Sequence, residues 1–317
     1  MLLKIFSDRY RGLNVCYFNA RSLRNKVDLL EDIFNNSKVH ALIVCETWLN
    51  DNIASNVVSL PEYNIFRNDR VGRTGGGVAV YVRKSLKAKI VSASCPGAKL
   101  EFICVQVDTG YDKCLLISIY CPPSCFCEEI ASSFRESILS LILSNPNVII
   151  CGDLNVNALN CSHTNKNMNY LFDSLSLSVV NCLPTYFNCN SPSQLDYILT
   201  TDPSKVLFHN QISPISNFDH DFLFLTYGIK LDMRPNSSFT YRDYKNVDLE
   251  RLLADCQALS WENIYTSTSL DDKIAVFTQI LLELFDKHIP LKKVTVRHNR
   301  CPWLARDIHN AMAERDS

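Results

Sequence analysis

The sequence predicts an α/β protein in which helices pack against a β-sheet. A strand-like apolar run at residues 13–18 is followed by apolar residues at helical spacing and then by a second strand-like run at residues 41–45. A β-α-β opening of this kind places a helix on one face of a sheet. Hydrophobic residues make up 47% of the 317-residue chain and charged residues 21%, which is enough apolar surface for a large core.

The first half of the chain supplies most of the predicted strands, which span residues 13–18, 41–45, 78–82, 102–107 and 114–120. Apolar residues spaced from Leu23 to Phe34 predict the helix between the first two strands. The glycine-rich turn 74–77 leads into the third strand and lacks the Gly-Lys-Ser/Thr ending of a phosphate-binding loop, which argues against a nucleoside triphosphate site. Residues 108–110 suit a hairpin turn between the last two strands.

The second half predicts a helix at 128–143, a buried strand at 148–151, a helix near 170–175 and strands at 195–199 and 222–227. After about residue 230 the pattern changes to a linker-like stretch and then to helical spacing, at 249–259 and 274–285. We therefore expect two domains, at residues 1–230 and 231–317.

Charge and cysteine usage restrict the class of protein. The net charge is −1, so the whole chain has no general attraction for nucleic acid, but basic residues concentrate at 67–89 and 21–26, where they could hold a polyanion beside an acidic site. The 14 cysteines are dispersed, several in apolar strand-like runs, which favours reduced buried thiols. No apolar run is long enough to span a bilayer, and we expect an intracellular protein that is not secreted.

Polar side chains recur at the predicted strand ends. Gly152 follows the buried strand 148–151, and Asp153 and Asn155 come next, two positions apart, so that their side chains point the same way. Taken alone, this pair is equally typical of an Asx-rich turn. The wider set of strand-end groups comprises Asn19, Glu46, Tyr120, Asp153, Asn155, Asp219 and His220, with Asp196 inside a short strand.

Strand ends at one edge of a sheet converge, so these groups can form one site. Glu46 and Asp219, with help from Asn19, would supply oxygen ligands for Mg²⁺. Asp153 would accept a proton from an attacking water, and His220, oriented by Asp196, would bind a phosphate oxygen. The residues alone leave metal-assisted phosphodiester chemistry and ordinary structural acids both open.

Several short motifs stand in a familiar order: Phe-Asn-Ala-Arg-Ser-Leu at Asn19, Glu-Thr-Trp-Leu at Glu46, Tyr120, Gly-Asp-Leu-Asn at Asp153, Leu-Asp-Tyr at Asp196 and Asp-His at His220. With this order, the chain resembles the endonuclease/exonuclease/phosphatase family over roughly residues 13–228. It is most similar to the endonuclease domain of non-LTR retrotransposons of the jockey or chicken-repeat type, whose marks include Gly-Gly-Gly-Val-Ala-Val-Tyr-Val.

The resemblance implies a four-layered α/β sandwich of two packed mixed sheets flanked by helices. It implies a phosphodiester hydrolase that uses Mg²⁺, or alternatively Mn²⁺, to nick target DNA and leave a 3′-hydroxyl that primes reverse transcription. The implied metal ligands are Glu46, Asp219 and Asn19, and the implied catalytic residues are Asp153, His220, Asp196, Tyr120 and Asn155. Asn155, Arg21 and Arg73 are the predicted substrate-binding residues, and a chromosomal substrate implies action in the nucleus or cytoplasm.

Two features depart from this family pattern. Phe218 stands where the family usually has serine before Asp-His, and Ser216 lies two positions earlier. Residues 301–315 resemble the connector that precedes a reverse transcriptase, and no reverse transcriptase follows in this chain although the full-length element is expected to carry one. Two alternatives therefore stay open: a weakened or inactive mobile-element relic that binds DNA, and a phosphoesterase acting on abasic DNA or a phospholipid.

Overall fold

A computed structural model describes residues 11–34, 37–123, 128–160, 162–181, 183–188, 191–213, 218–232 and 238–295. The predictions for Ser216 and for the tail 301–315 lie outside these ranges, as does most of the linker-like stretch. The chain divides into two compact units, Met1–Met233 and Arg234–Ser317, and each is described separately. None of the described helices is long and apolar enough to cross a membrane.

The described elements of the first unit, in chain order, are β1 (Leu13–Asn19), α1 (Val27–Phe34), β2 (Ala41–Cys45), β3 (Tyr63–Asn68), β4 (Val78–Arg83), β5 (Lys87–Ala93), β6 (Glu101–Asp108), β7 (Lys113–Tyr120), α2 (Glu128–Ser144), β8 (Val148–Asp153), α3 (His163–Ser174), β9 (Ser178–Val179), β10 (Tyr186–Asn188), β11 (Ser191–Ser193), β12 (Asp196–Thr200), β13 (Val206–Ile212) and β14 (Phe222–Tyr227). Those of the second unit are β15 (Ser238–Arg242), α4 (Leu249–Gln257), α5 (Glu262–Thr266), α6 (Leu270–His288) and β16 (Leu291–Thr295).

In the described part of the first unit, two six-stranded mixed sheets provide the main framework, and β10 and β11 form a separate two-stranded sheet. The order in one sheet is β13-β14-β1-β2-β4-β3, and in the other it is β5-β6-β7-β8-β12-β9. The pairs β1/β2 and β7/β8 are parallel, whereas their neighbours are antiparallel. Each parallel pair is connected through a helix, α1 in the first sheet and α2 in the second, as parallel strands require. The carboxyl ends of these four strands carry Asn19, Glu46, Tyr120 and Asp153, whereas Asp196 begins β12 and Asp219 and His220 precede β14.

Alternating side chains of both sheets fill the space between them. Inward-pointing residues such as Tyr17, Ile43, Leu116 and Ile149 are almost fully buried and form one apolar cluster. The outward face of the second sheet is covered by α2 and α3, and that of the first sheet by α1 and adjoining loops. Helix, sheet, sheet and helix therefore form four layers, and the predicted four-layered α/β sandwich is confirmed.

The sequence reasoning missed several edge strands. β5 lies at the edge of the second sheet, and its residues Lys87, Lys89, Ile90 and Val91 are exposed. β13 occupies the edge of the first sheet and is also partly exposed. Edge strands lack a continuous buried apolar run because only one side pairs with a neighbour, and charged residues there discourage further pairing.

Within its described residues, 238–295, the second unit contains three α-helices and the antiparallel pair β15/β16. Helix α6 begins at a Ser269 cap whose side chain accepts a hydrogen bond from the Asp272 backbone N–H. Near its end, His288 Nε2 lies 2.6 Å from an oxygen of Asp255. The division after Met233 falls within a few residues of the boundary expected near 231, and the role of this unit as a linker before a reverse transcriptase stays a prediction.

Candidate active site

A row of polar side chains crosses the second sheet at one end of the space between the sheets. Tyr120 of β7 is in register with Asp153 of β8, and Asp153 is in register with Asp196 of β12. Residues in register on adjacent strands share a face of the sheet. The three side chains are nearly fully buried, at 4%, 1% and 0% exposure. They therefore form one continuous polar wall that the sequence places on three separate segments.

Gly152 permits the close approach of β8 to β7 beside this row. A Cβ atom at position 152 would lie 1.9 Å from the backbone oxygen of Ile119 and 2.4 Å from its side chain. No rotamer change can relieve an overlap with a backbone oxygen. The glycine before Asp153 is thus required by strand packing, in addition to any role in the site.

Asn19 connects the two sheets at the site. Its Nδ2 donates one hydrogen bond to Glu46 Oε1, at 3.2 Å, and another to Asp153 Oδ2, at 2.9 Å. The other oxygen of Asp153 accepts from the backbone N–H of Asn155, at 2.8 Å. The Asn155 side chain donates to the backbone oxygen of Cys121 at 2.9 Å. The predicted base Asp153 is therefore held from both sides.

Strained backbone surrounds this centre. The described non-glycine residues with positive φ are Arg21, Ser22, Glu46, Trp48, Asn155 and Ser176. Five of these six belong to the site or to segments joined to it, and only Ser176 lies elsewhere. At Glu46 the left-handed turn (φ 51°) follows β2, and Trp48 Nε1 donates to the Glu46 carboxylate at 3.1 Å. Such conformations persist only where surrounding contacts fix them.

Asp196 and His220 form a buried pair opposite Asp153. Asp196 Oδ2 lies 2.7 Å from His220 Nδ1 and accepts from the Thr185 hydroxyl at 2.6 Å, while Oδ1 accepts from the Tyr17 hydroxyl at 2.6 Å. Burial of His220 opposes its protonation, but the charge of Asp196 and its hydrogen bond outweigh that effect and raise the pKa of His220 to about 9. The imidazole is therefore protonated at neutral pH and can donate from Nε2.

Asp219 and Arg21 stand at the exposed rim of the site, where they form an ion pair with both side chains about half exposed. The backbone N–H of Arg21 also donates to Asn19 Oδ1, at 3.1 Å. Arg73 is exposed in the loop between β3 and β4, and among the described residues it forms no hydrogen bond with the other predicted site residues. The structure thus joins nine of the ten predicted residues through one network of contacts and leaves Arg73 outside it.

Phe218 fills an apolar position next to the site. Its ring packs edge-on against Phe18 and Phe222, with centroid distances of 5.7 and 4.9 Å. Lys26 Nζ lies 4.4 Å from the Phe218 ring centroid and donates to the Ala20 backbone oxygen. Phe218, which stands where the resemblance led us to expect serine, is therefore buried in the outer apolar cluster of the first sheet, directly before Asp219.

Negative charge exceeds positive charge at the centre. Burial, followed by the nearby charge of Asp196, raises the pKa of Asp153 well above its usual range. A divalent cation beside Glu46 would favour the ionised form of the Asp153 carboxylate. The oxygens of Glu46, Asn19 and Asp153 are ligands that Mg²⁺ prefers. Ligand atoms of Asp153, Asp196 and His220 also lie within 4.8 Å of one another and could bind a metal. His220 would have to lose its proton for that group to do so, because only a neutral imidazole can ligate a metal.

The sequence reasoning missed several residues of the site. Tyr17 and Thr185 hold Asp196, and Trp48 holds Glu46. Tyr17 lies two positions before Asn19 on β1, so strand alternation already places the two side chains on one face. Thr185 carried no comparable signal, because its contact depends on a loop that precedes β10.

The basic stretch 67–89 is less available to a polyanion than we expected. Arg67 is paired with Asp69, and Arg70 with Glu101. Arg83 donates to the backbone oxygens of Val39 and Ser37. These guanidinium groups stabilise the fold, and the exposed Arg73, Lys87 and Lys89 are the members of the stretch that could still hold a polyanion.

Comparisons with known proteins agree with this architecture. The sequence profile of the endonuclease/exonuclease/phosphatase family matches residues 13–216. No curated protein sequence matches the chain. Among solved structures, it is similar to the endonuclease domain of TRAS1, a telomere-specific non-LTR retrotransposon, with a TM-score of 0.54 at 13% identity, covering 68% of this chain and 99% of that one.

Two further solved structures are similar. The AP endonuclease LMAP from Leishmania major gives a TM-score of 0.59 at 16% identity, covering 70% of this chain and 89% of that one. The 3′-5′ exonuclease NExo from Neisseria meningitidis gives 0.57 at 14% identity, covering 68% and 100%. At these identities the likeness shows the fold alone. Because the profile match extends over more than half of the sequence, the chain belongs to the endonuclease/exonuclease/phosphatase family.

Proposed function

We propose that the chain is a Mg²⁺-dependent DNA endonuclease that nicks target DNA and leaves a 3′-hydroxyl to prime retrotransposon reverse transcription. The observation that carries the proposal is the Asn19 amide, which joins the carboxylates of Glu46 and Asp153 beside the protonated His220. This arrangement combines a cation-binding carboxylate, a base and a donor to phosphate in one buried site. The similarity to the TRAS1 endonuclease domain supports DNA as the substrate.

In this proposal Glu46 and Asn19 would hold the metal, and Asp219 would join them once its ion pair with Arg21 opens. A bound Mg²⁺ would stabilise negative charge on the phosphate and on the leaving oxygen. Asp153, held by Asn19 and Asn155, accepts a proton from the attacking water. The phosphorus–O3′ bond breaks as the new phosphorus–oxygen bond forms, which yields a 3′-hydroxyl and a 5′-phosphate.

Three further residues act on the phosphate. His220 Nε2 donates to a phosphate oxygen while Asp196 holds its Nδ1 side. Burial and the charges of Glu46 and Asp153 raise the pKa of Tyr120, so its neutral hydroxyl can donate to the phosphate or the leaving oxygen. Arg21, at the rim, would bind the DNA backbone as an exposed cation.

Incubation of supercoiled plasmid with the protein and Mg²⁺ tests the proposal. Open circles should form, and Asp153→Asn should lower the rate by about 10²-fold or more because the water loses its base. Asp221→Asn is the matched control, since Asp221 is also a buried acid and its carboxylate accepts a hydrogen bond from Gln211, which is not a predicted site residue. A wild-type protein that forms no open circles would refute the proposal.

Abasic DNA is the second candidate substrate, and the similarity to the AP endonuclease LMAP favours it. Cleavage of an abasic duplex at a much higher rate than an intact duplex would support this alternative, and hydrolysis of lipid phosphates would support a phospholipid substrate. Tight DNA binding by calorimetry without any cleavage would support an inactive relic. The substrate comparison and the calorimetry together separate these three alternatives from the endonuclease.

A further inference from the structure

The glycine-rich turn at residues 74–77 encloses an arginine instead of a phosphate. Arg70 lies in the same loop between β3 and β4, and only 8% of its side chain is exposed. A Cβ atom at Gly76 would lie 2.2 Å from Arg70 Cζ. Position 76 must therefore be glycine for the guanidinium to occupy its present place. This packing gives the motif a role that its sequence did not reveal.

Glu101, on the second sheet, binds the guanidinium of Arg70, which lies in a loop of the first sheet. Arg70 Nε forms a buried ion pair with Glu101 Oε1, and the backbone N–H of Gly77 donates to Glu101 Oε2 at 2.6 Å. Glu101 of β6 is in register with Tyr120 of β7, so their side chains share one face of the sheet. The row of polar groups described above thus continues from Asp196 and Asp153 through Tyr120 to Glu101.

The ion pair places Arg70 over the Tyr120 ring, with Cζ 5.4 Å from the ring centroid. Arg70 Nη2 is buried and has no hydrogen-bond partner in the described part of the chain. A buried guanidinium donor without an oxygen acceptor is costly unless the face of an aromatic ring takes its place. Arg70 therefore gives up a hydrogen bond to remain stacked on this tyrosine.

We propose that Arg70 is a positioning residue of the active site, which holds the Tyr120 ring so that its hydroxyl stays beside Glu46 and Asp153. The inference rests on the proposed phosphodiester cleavage, in which Tyr120 contacts the phosphate or the leaving oxygen. A planar guanidinium is required, because it donates from Nε to Glu101 while its Cζ lies over the Tyr120 ring. Lysine at position 70 would keep the charge but not this geometry.

A second arginine in the same unit shows what a purely structural stack looks like. Arg83 Cζ lies 5.3 Å from the ring centroid of Tyr63, and Arg83 donates to the backbone oxygens of Val39 and Ser37. The Tyr63 hydroxyl donates to the Val39 backbone oxygen and contacts no predicted site residue. Arg83→Gln therefore serves as the matched control for Arg70→Gln.

Two neighbouring glycines provide a sharper test that changes no charge. Gly75 and Gly76 both have positive φ, at 84° and 66°, so alanine strains the backbone at either position. Only at Gly76 does the new methyl group displace the guanidinium, since at Gly75 the nearest atoms lie at 3.7 and 3.8 Å. We expect Gly76→Ala and Arg70→Gln to lower kcat by about 10- to 100-fold with little change in KM. Gly75→Ala and Arg83→Gln should retain near wild-type kcat.

The proposal requires that the lower kcat of Gly76→Ala and Arg70→Gln results from displacement of the Tyr120 hydroxyl. In a Tyr120→Phe background, Gly76→Ala and Gly75→Ala should therefore have equal kcat. With tyrosine at position 120, Arg70→Lys should have a kcat as low as that of Arg70→Gln. A Gly76→Ala defect that persists undiminished with phenylalanine at position 120 would overturn the proposal. So would equal kcat values of the two alanine variants in the wild-type background.

Nitration by tetranitromethane gives a readout that needs no catalysis. Tyr120 is 4% exposed, and peptide mass spectrometry should find it protected in the wild type and in Gly75→Ala but nitrated in Gly76→Ala and Arg70→Gln. Continued protection in the last two variants would refute the positioning role. A wild type that does not cleave DNA would refute the proposed function instead, and the nitration result would still decide whether Arg70 holds the ring.

Discussion

Replacement of Asp196 by asparagine would remove the charge that keeps His220 protonated. The pKa of His220 is raised from 6.5 to about 9, and loss of the Asp196 charge would lower it, because burial favours the neutral ring and only the weaker effects of Asp153 and Glu46 would still oppose burial. At pH 7.5 nearly all wild-type molecules carry a protonated His220, and a smaller fraction would do so in the variant. Together with the loss of ring orientation, we expect a decrease in the cleavage rate of about 10²- to 10³-fold.

Single-turnover nicking of supercoiled plasmid between pH 5.5 and 9.5 measures this effect. Because the raised pKa keeps His220 protonated below about 9, the wild-type rate should decline only as the pH rises through 9. The Asp196→Asn rate should begin to decline at a lower pH than the wild-type rate. Asp255→Asn, which removes a carboxylate 2.6 Å from His288 in the second unit, should behave like the wild type.

Two results would refute this reasoning. One is an Asp196→Asn enzyme that cleaves at the wild-type rate at pH 7.5, and the other is a variant whose rate still declines only near pH 9. Mg²⁺ titration by calorimetry adds a further check, because Asp196→Asn should retain metal affinity if Glu46 and Asn19 hold the ion. A loss of affinity in this variant would place the metal in the buried group of Asp153, Asp196 and His220.

Three other outcomes are expected. Glu46→Gln should weaken Mg²⁺ binding in calorimetry by about tenfold or more, since even the loss of a residue that only hydrogen-bonds to a metal ligand typically lowers metal affinity by about 10- to 100-fold. Gly152→Ala should destabilise the fold in urea denaturation by about 3 kcal/mol or more through overlap with the Ile119 backbone, whereas Gly228→Ala, whose nearest atoms belong to a side chain, should cost less. Burial, followed by Arg83, lowers the pKa of His40 from 6.5 to about 4, so the fold should lose about 3 kcal/mol as the pH falls from 6.5 to 4, and His40→Gln should lack this part of the acid dependence.

The fold and the centre of the site were accessible from the sequence because they depend on local patterns. Apolar runs in the sequence predict buried strands such as β8, and the polar residues that follow these runs are easily recognised. The four-layered arrangement itself came from family resemblance and is confirmed. Alternation along one strand also predicts which side chains share a face, as for Tyr17 and Asn19.

Contacts between distant segments could not be predicted in this way. The approach of Tyr17 to Asp196 depends on how the two sheets pack, and that of Glu101 to Tyr120 depends on the register of β6 and β7. Arginines that looked like a basic surface turned out to bind carboxylates and backbone oxygens, because composition does not tell which charges are neutralised internally. Phe218 looked like a lost hydroxyl and proved to be an apolar anchor.

The non-glycine residues with positive φ around the site are expected to favour activity at a cost in stability. A non-glycine residue in this conformation costs about 1–2 kcal/mol, and glycine at Glu46 or Asn155 would relieve that strain. A library selected only for heat resistance should therefore accumulate glycine at positions 46 and 155, and a library selected for DNA cleavage should keep the original side chains. Sequencing the two pools would show whether the side chains at positions 46 and 155 are kept for cleavage at the expense of stability.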